Sequence, residues 1–247
     1  MFPIRDHNPS RGVPFVTYAL IAINVAVWAW TAAVLTTDRE TLDLYLVYAM
    51  IPARISNGEG WITLVTSTFL HAGILHLAGN MLFLWIFGDN LEDEMGHLGF
   101  LAFYLLAGTG AGLAQWISEP WSPVPTVGAS GAIAGVMGAY LLFFPKAKVD
   151  VLLILIVFFR VIPIPAWIVL IVWFGIQIFQ GLGVQPGQGG VAYWAHAGGF
   201  LVGFALALPA WLREGGPKFW RRTDGHPPHP EARYPETVSR IPKVPRR

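Results

Sequence analysis

Residues 121–144 read Trp-Ser-Pro-Val-Pro-Thr-Val-Gly-Ala-Ser-Gly-Ala-Ile-Ala-Gly-Val-Met-Gly-Ala-Tyr-Leu-Leu-Phe-Phe. The second half is apolar, uncharged and rich in helix-compatible small residues. The first half cannot join it as one helix, because Pro123 and Pro125 interrupt the backbone ladder. The helix therefore begins near Thr126 or later, with Ser130 in its first turn. From Ser130 to Phe144 it rises only about 21 Å, against a bilayer core of about 30 Å. With Phe144 at one boundary, Ser130 lies about 10 Å below the opposite surface. Irregular backbone at that depth is tolerated only inside protein or beside a wet cavity. A water-filled pocket at Ser130 is the expectation.

The rest of the chain supports a membrane setting. Of 247 residues, 54% are hydrophobic and 13% charged, about half the charged share usual in soluble domains. The absence of Cys excludes disulfide staples, Cys-bound metal and a thiol nucleophile. A net charge of +1 gives no reason to expect a nucleic-acid partner.

Six apolar stretches approach bilayer length: 15–35, 69–87, 98–117, 126–144, 165–182 and 192–212. The expected fold is an all-α polytopic six-helix bundle with a long outer first loop, 36–61. The stretch Val151 to Phe159 is too short to cross. Its Val and Ile content predicts a strand-prone, hairpin-like insert. Six crossings put fourteen Lys and Arg on one side and two, Arg39 and Arg54, on the other. By the positive-inside rule both termini face the cytoplasm. The division is a cytoplasmic segment 1–14, a membrane domain 15–212 and a basic, Pro-rich tail 213–247, expected to be disordered. The short N-terminal segment has no transit-peptide character, which favours a plasma (inner) membrane.

No Asp, Glu, Lys or Arg falls inside the six spans, so the polar residues within them stand out. They are His71, His76 and Asn80 on the second span, Gln115 on the third, Ser130 on the fourth, Gln177 on the fifth and His196 on the sixth. Taken singly, each is most simply an interhelical hydrogen-bonding group. The cluster points further, because all the imidazoles sit near the outer ends of their helices. Gly131, Ala134, Gly135 and Gly138 give the fourth helix a small-residue face beside Ser130, and Gly199 and Gly203 do so for the sixth, beside His196. Small faces permit close approach, which would set His196 against Ser130. The first-turn N–H groups at Ser130 are unpaired and suit a developing negative charge.

These motifs resemble the rhomboid family of intramembrane serine proteases. They are His71-x4-His76-x3-Asn80 with Met81 and Phe87-Gly88, Gly128-Ala129-Ser130-Gly131, and Ala195-His196-Ala197-Gly198-Gly199, in the family's order. The resemblance covers about Val13 to Leu212. It implies Ser130 as nucleophile and His196 as general base. It also implies an oxyanion hole from His76, Asn80 and the Ser130 N–H. His71, Gly128, Gly131 and Gly199 are supporting positions. The implied substrates are transmembrane proteins in a lipid bilayer, and no cofactor or metal is implied. Two positions depart from the family pattern. Trp61 is followed by Ile62 rather than Arg. Ala134 stands where many members place an aromatic that packs on the His ring, a role for which Tyr193 or Trp194 are candidates.

Rival classes fare worse. No His is followed by Glu, as a zinc-protease helix requires, and no span carries Asp. A transporter would be expected to show intramembrane charge or an inverted repeat. A non-cleaving, client-binding rhomboid relative typically lacks the Ser or the His, and both are present. With no carboxylate inside the spans, a Ser–His dyad is expected rather than a triad.

Overall fold

The structure is a computed structural model and describes residues 2–155, 158–184 and 189–234. In chain order it comprises β1 (Phe2–Asp6), α1 (Phe15–Val34), α2 (Asp38–Tyr48), α3 (Pro52–Ser56), α4 (Thr63–Thr66), α5 (Ile74–Met95), α6 (His97–Ser118) and α7 (Ser130–Phe143). There follow β2 (Lys148–Leu155), β3 (Phe158–Pro165), α8 (Ala166–Gly183), α9 (Tyr193–Arg213) and α10 (Pro217–Thr223). Helices α1, α5, α6, α8 and α9 are long and apolar enough to cross a membrane, and α7 is a shorter apolar helix of 14 residues. The chain is a polytopic helical bundle. Large apolar side chains such as Trp30, Leu106 and Phe179 face outward, with 56%, 56% and 79% of their surface exposed. A soluble monomer rarely presents so much apolar surface, whereas lipid accepts it.

Helix α7 is the axis of the bundle. Twelve of its fourteen residues are buried. It packs on α9 nearly backbone to backbone. A Cβ added at Gly203 would lie 2.2 Å from the Gly135 Cα, and one at Gly138 would lie 2.2 Å from the Phe200 carbonyl oxygen. On the opposite flank Gly131 and Gly135 each leave room for a methyl of α6, Ala111 and Ala107. The small-residue faces expected from sequence thus carry this contact. Below them Phe87, Phe100, Phe143 and Tyr104 fill the core.

The helix α5 begins and ends later than the expected 69–87. Its acidic residues Asp89, Glu92, Asp93 and Glu94 therefore lie in its last turns, not in a loop. The reason is visible at α1, whose N-cap Pro14 offers no side-chain cap. The buried Glu92 supplies one instead. Its oxygens accept from the Val16 and Thr17 amides and the Thr17 hydroxyl, each at 2.8 Å. A carboxylate is favourable at a helix N-terminus.

The insert after α7 is the expected hairpin, with Lys148 opposite Pro165 and Leu155 opposite Phe158. An element not foreseen joins it. Strand β1 pairs antiparallel with β2, giving the order β1-β2-β3. The expected all-α architecture therefore carries a small sheet at the C-terminal end of α7. The tail, expected to be disordered, is packed in its described part. The α10 residue Phe219 is buried and the Trp220 indole donates to the Leu142 carbonyl. Apolar anchors among the basic residues explain the difference. Further on, the Ala232 amide donates to the His7 carbonyl, and Arg5 sits 3.8 Å over the Tyr234 ring. Residues 235–247 lie outside the described residues.

Polar ties fix the sheet. Arg5 and His7 meet Asp150 at 2.7 and 2.9 Å. Burial raises the Asp150 carboxyl, but these hydrogen bonds outweigh it and hold it below its ordinary range. Asp6 lacks a cationic partner of that strength. Its Oδ2 accepts from the Tyr140 hydroxyl at 2.7 Å. Burial pushes its carboxyl from an ordinary 3.8 up to about 7, against the pull of that hydrogen bond.

Gly203→Val forces α7 and α9 apart and should lower the detergent melting temperature, at an overpacking cost of about 1–3 kcal/mol. Gly175→Ala, where an added Cβ meets nothing within 4 Å, should be neutral or mildly stabilising. The raised Asp6 value means that the folded state loses stability as pH rises from about 4 through 7. Asp6→Asn keeps an acceptor for Tyr140 and should raise the melting temperature at pH 8, with a clearly smaller gain at pH 5. An equal gain at both pH values would show that Asp6 is not the titrating group.

Candidate active site

Three helix starts and one loop converge at the end of the bundle away from the sheet. The loop is the Pro-rich 121–129 segment. Several of its backbone groups pair with protein, as irregular backbone within a membrane domain requires. Thr126 and Met50 exchange amide–carbonyl bonds of 2.8 and 3.1 Å, the Gly128 amide donates to the Ser67 carbonyl at 2.9 Å, and the Ala53 amide donates to the Ser122 carbonyl at 3.1 Å. The outer loop 36–61 thus holds the segment in place. The missing Trp-Arg pair is replaced by other contacts. Arg54 donates to the Leu46 carbonyl, Trp61 packs edge-on against Trp116, and the Trp116 indole donates to the Ser56 hydroxyl.

Gly128 then turns the chain into α7 with φ +127°, a region that favours glycine. An added Cβ there would lie 2.8 Å from the His76 ring. The helix starts at Ser130 itself, so the sequence-based estimate of its first turn holds. His196 lies in the first turn of α9 and reaches across. Its Nε2 is 2.8 Å from the Ser130 Oγ. Gly199, one turn below, lies against the Gly131 carbonyl oxygen, where a Cβ would sit at 2.2 Å. The start of α9 is itself held by Gln115 of α6, whose Oε1 accepts from the Ala195 amide at 3.2 Å.

His76 and Asn80 share one face of α5 and line the same cavity as Ser130 and His196. The cavity measures about 580 Å³. Asn80 is buried, and its Nδ2 has no hydrogen-bond partner among the described residues. His71 is placed differently from expectation. It precedes α5, which starts at Ile74, and does not lie on it. Its buried ring meets the His76 ring edge-on, with centroids 5.1 Å apart, and it does not line the cavity. All the other expected positions are brought together.

Two neighbours of His196 come from α8. Its Nδ1 lies 2.7 Å from the Gln177 Oε1. Its ring lies against Trp173, with centroids 5.9 Å apart and planes at 32°. Trp173, not Tyr193 or Trp194, takes up the face left open by Ala134. The signal was present in the sequence, since Trp173 and Gln177 are four apart and share a helix face.

The site geometry coincides with a match over most of the chain. A family model described as the Rhomboid domain matches residues 58–213. The chain belongs to the rhomboid family. Rhomboid protease GluP of Bacillus subtilis is 37% identical over 132 residues, covering 53% of this chain and 25% of its own length. Rhomboid protein 1, mitochondrial, of Saccharomyces cerevisiae is 30% identical over 201 residues, covering 76% and 51%. Rhomboid protease AarA of Providencia stuartii is 28% identical over 223 residues, covering 81% and 73%. The chain spans 28%, 25% and 47% of the length of the first curated relatives it matches. The matched rhomboid segment takes in the Pro-rich loop, α5 to α9 and every residue of the cavity floor named above.

The Gly128 turn makes a prediction independent of activity. Gly128→Ala combines an unfavourable φ with a clash against His76, and should lower the melting temperature distinctly. Gly73→Ala, where the added Cβ meets nothing within 4 Å, is the control. Equal melting of the two variants would show that the His76 ring is not fixed against the loop.

Proposed function

We propose that this rhomboid-family chain is an intramembrane serine endopeptidase that hydrolyses peptide bonds in or near transmembrane segments of other membrane proteins. The observation that carries the reading is the 2.8 Å contact between His196 Nε2 and Ser130 Oγ at the start of a helix beside a polar cavity. A serine hydroxyl is a weak nucleophile until an adjacent base takes its proton. In this reading Ser130 Oγ attacks the substrate carbonyl carbon and His196 Nε2 takes the hydroxyl proton. The carbonyl oxygen gains the negative charge of the tetrahedral intermediate. The Ser130 amide, Asn80 Nδ2 and His76 stabilise it. The imidazolium then returns its proton to the leaving amine, and water repeats the sequence to release the acyl group. The unpartnered Asn80 donor supports its role, because a buried donor costs free energy until something accepts from it.

Substrate access from the bilayer follows from the location of the site between helices whose outer faces are apolar. The proposed location is a plasma (inner) membrane, with residues 1–14 and the tail 213–247 cytoplasmic. Fourteen of sixteen basic residues on that side support this orientation. The sheet, the described tail and β1 all lie on the face opposite the cavity.

Purified protein should cleave a transmembrane substrate with a weakened helix. Ser130→Ala and His196→Ala should each abolish cleavage with melting unchanged. Asn80→Ala should reduce the rate, by up to about 10² to 10³-fold if its donor acts alone. A fluorophosphonate should label Ser130 covalently. Undiminished cleavage by Ser130→Ala would overturn the reading.

A further inference from the structure

The dyad leaves one polar contact unassigned. His196 Nε2 can take a proton from Ser130 only if the neutral ring carries its own proton on Nδ1. In water either tautomer is available. At this position the Gln177 side chain, 6% exposed, sets its Oε1 2.7 Å from Nδ1. A carboxamide oxygen accepts and cannot donate. The Nδ1–H tautomer is the one this contact favours, and Nε2 is left free toward Ser130.

The same side of α8 supplies a second constraint. Trp173, one turn before Gln177, lies along the imidazole face. The hydrogen bond fixes rotation of the ring in its plane, and the indole limits tilting out of it. Serine hydrolases in water commonly use a carboxylate for the first task. Burying a carboxylate among membrane helices is costly, and a neutral amide avoids that cost while keeping the acceptor.

Resting on the dyad reading above, we propose that Gln177 is a positioning residue for His196. Its Oε1 holds the Nδ1–H and so keeps Nε2 aligned and deprotonated toward Ser130. When the Ser130 proton moves to Nε2, the ring becomes a cation whose Nδ1–H remains bonded to that oxygen. No bond to Gln177 forms or breaks.

The test uses two substitutions that a structural role and a positioning role rank in opposite order. Gln177→Leu removes the acceptor but suits an apolar surrounding. Gln177→Glu keeps an acceptor but brings a carboxyl into the bundle. If Gln177 positions His196, Gln177→Leu should lower kcat by about 10- to 100-fold with KM little changed. Fluorophosphonate labelling of Ser130 should slow in parallel, and Gln177→Glu should retain the larger share of both rates. If Gln177 only joins helices, Gln177→Leu is the milder change and Gln177→Glu the harsher one. Wild-type kcat and labelling in a folded Gln177→Leu protein overturns the proposal. Should Gln177→Leu melt below the assay temperature, Gln177→Glu decides alone. Retained kcat and labelling support positioning, and their loss in a folded protein overturns it. Ser130→Ala is run beside them. Its residual cleavage would refute the dyad itself, an outcome distinct from failure at Gln177.

Discussion

Backbone contact between α7 and α9 is the constraint on which the other features depend. Gly135 on one helix meets Gly199 and Gly203 on the other, Gly199 also lies against Gly131, and Gly138 lies against the Phe200 and Phe204 backbone, with no side chain between them. Such contact gains dispersion energy over a long seam and needs no apolar driving force, which lipid cannot supply. It also fixes the relative rotation and height of the two helices. Ser130 and His196 each sit at the top of this seam. The 2.8 Å contact between them is therefore set by glycines up to about two turns away as well as by local geometry.

The shortness of α7 is the second determinant. A helix of 14 residues cannot span the bilayer core. The space above it must be filled by protein that is not regular helix. Residues 121–129 fill it, tied to the outer loop through Met50 and Ala53 and to the segment before α5 through Ser67. The outer loop is thus structural support for irregular backbone at depth, and the cavity is what remains between the two.

Much of this was legible in the sequence. Bilayer-length apolar stretches gave the helices, and their freedom from charge made the few internal polar residues conspicuous. Pro123 and Pro125 located the start of α7, and small-residue spacing matched α7 with α9. Several features that local sequence does not encode depend on distant pairing. Nothing in Phe2–Asp6 announces a strand until β2 offers an edge. The Glu92 cap of α1 joins residues some 75 positions apart, and no local pattern encodes it. The apolar stretch around His71 predicts helix, whereas the helix waits for Ile74 after Gly73. Trp173 reaches His196 from α8, a neighbour that no spacing around position 134 or His196 specifies. The basic and Pro-rich character of the tail predicts disorder, and in its described part the packing of Phe219 and Trp220 outweighs it.

The pairing of β1 with β2 has a consequence for biosynthesis. Phe2 lies opposite Leu152, and Ala232 closes over His7. Residues 2–8 precede α1 in the chain, yet their β2 partners follow only after four apolar helices, α1, α5, α6 and α7. Contacts this distant in sequence form late, since the intervening chain must be ordered before they are rewarded. Meanwhile α1 can enter the bilayer but cannot be locked in register by the sheet. The sheet therefore closes late, at the end of the bundle opposite the cavity, once the helices that separate its strands in the chain have been made.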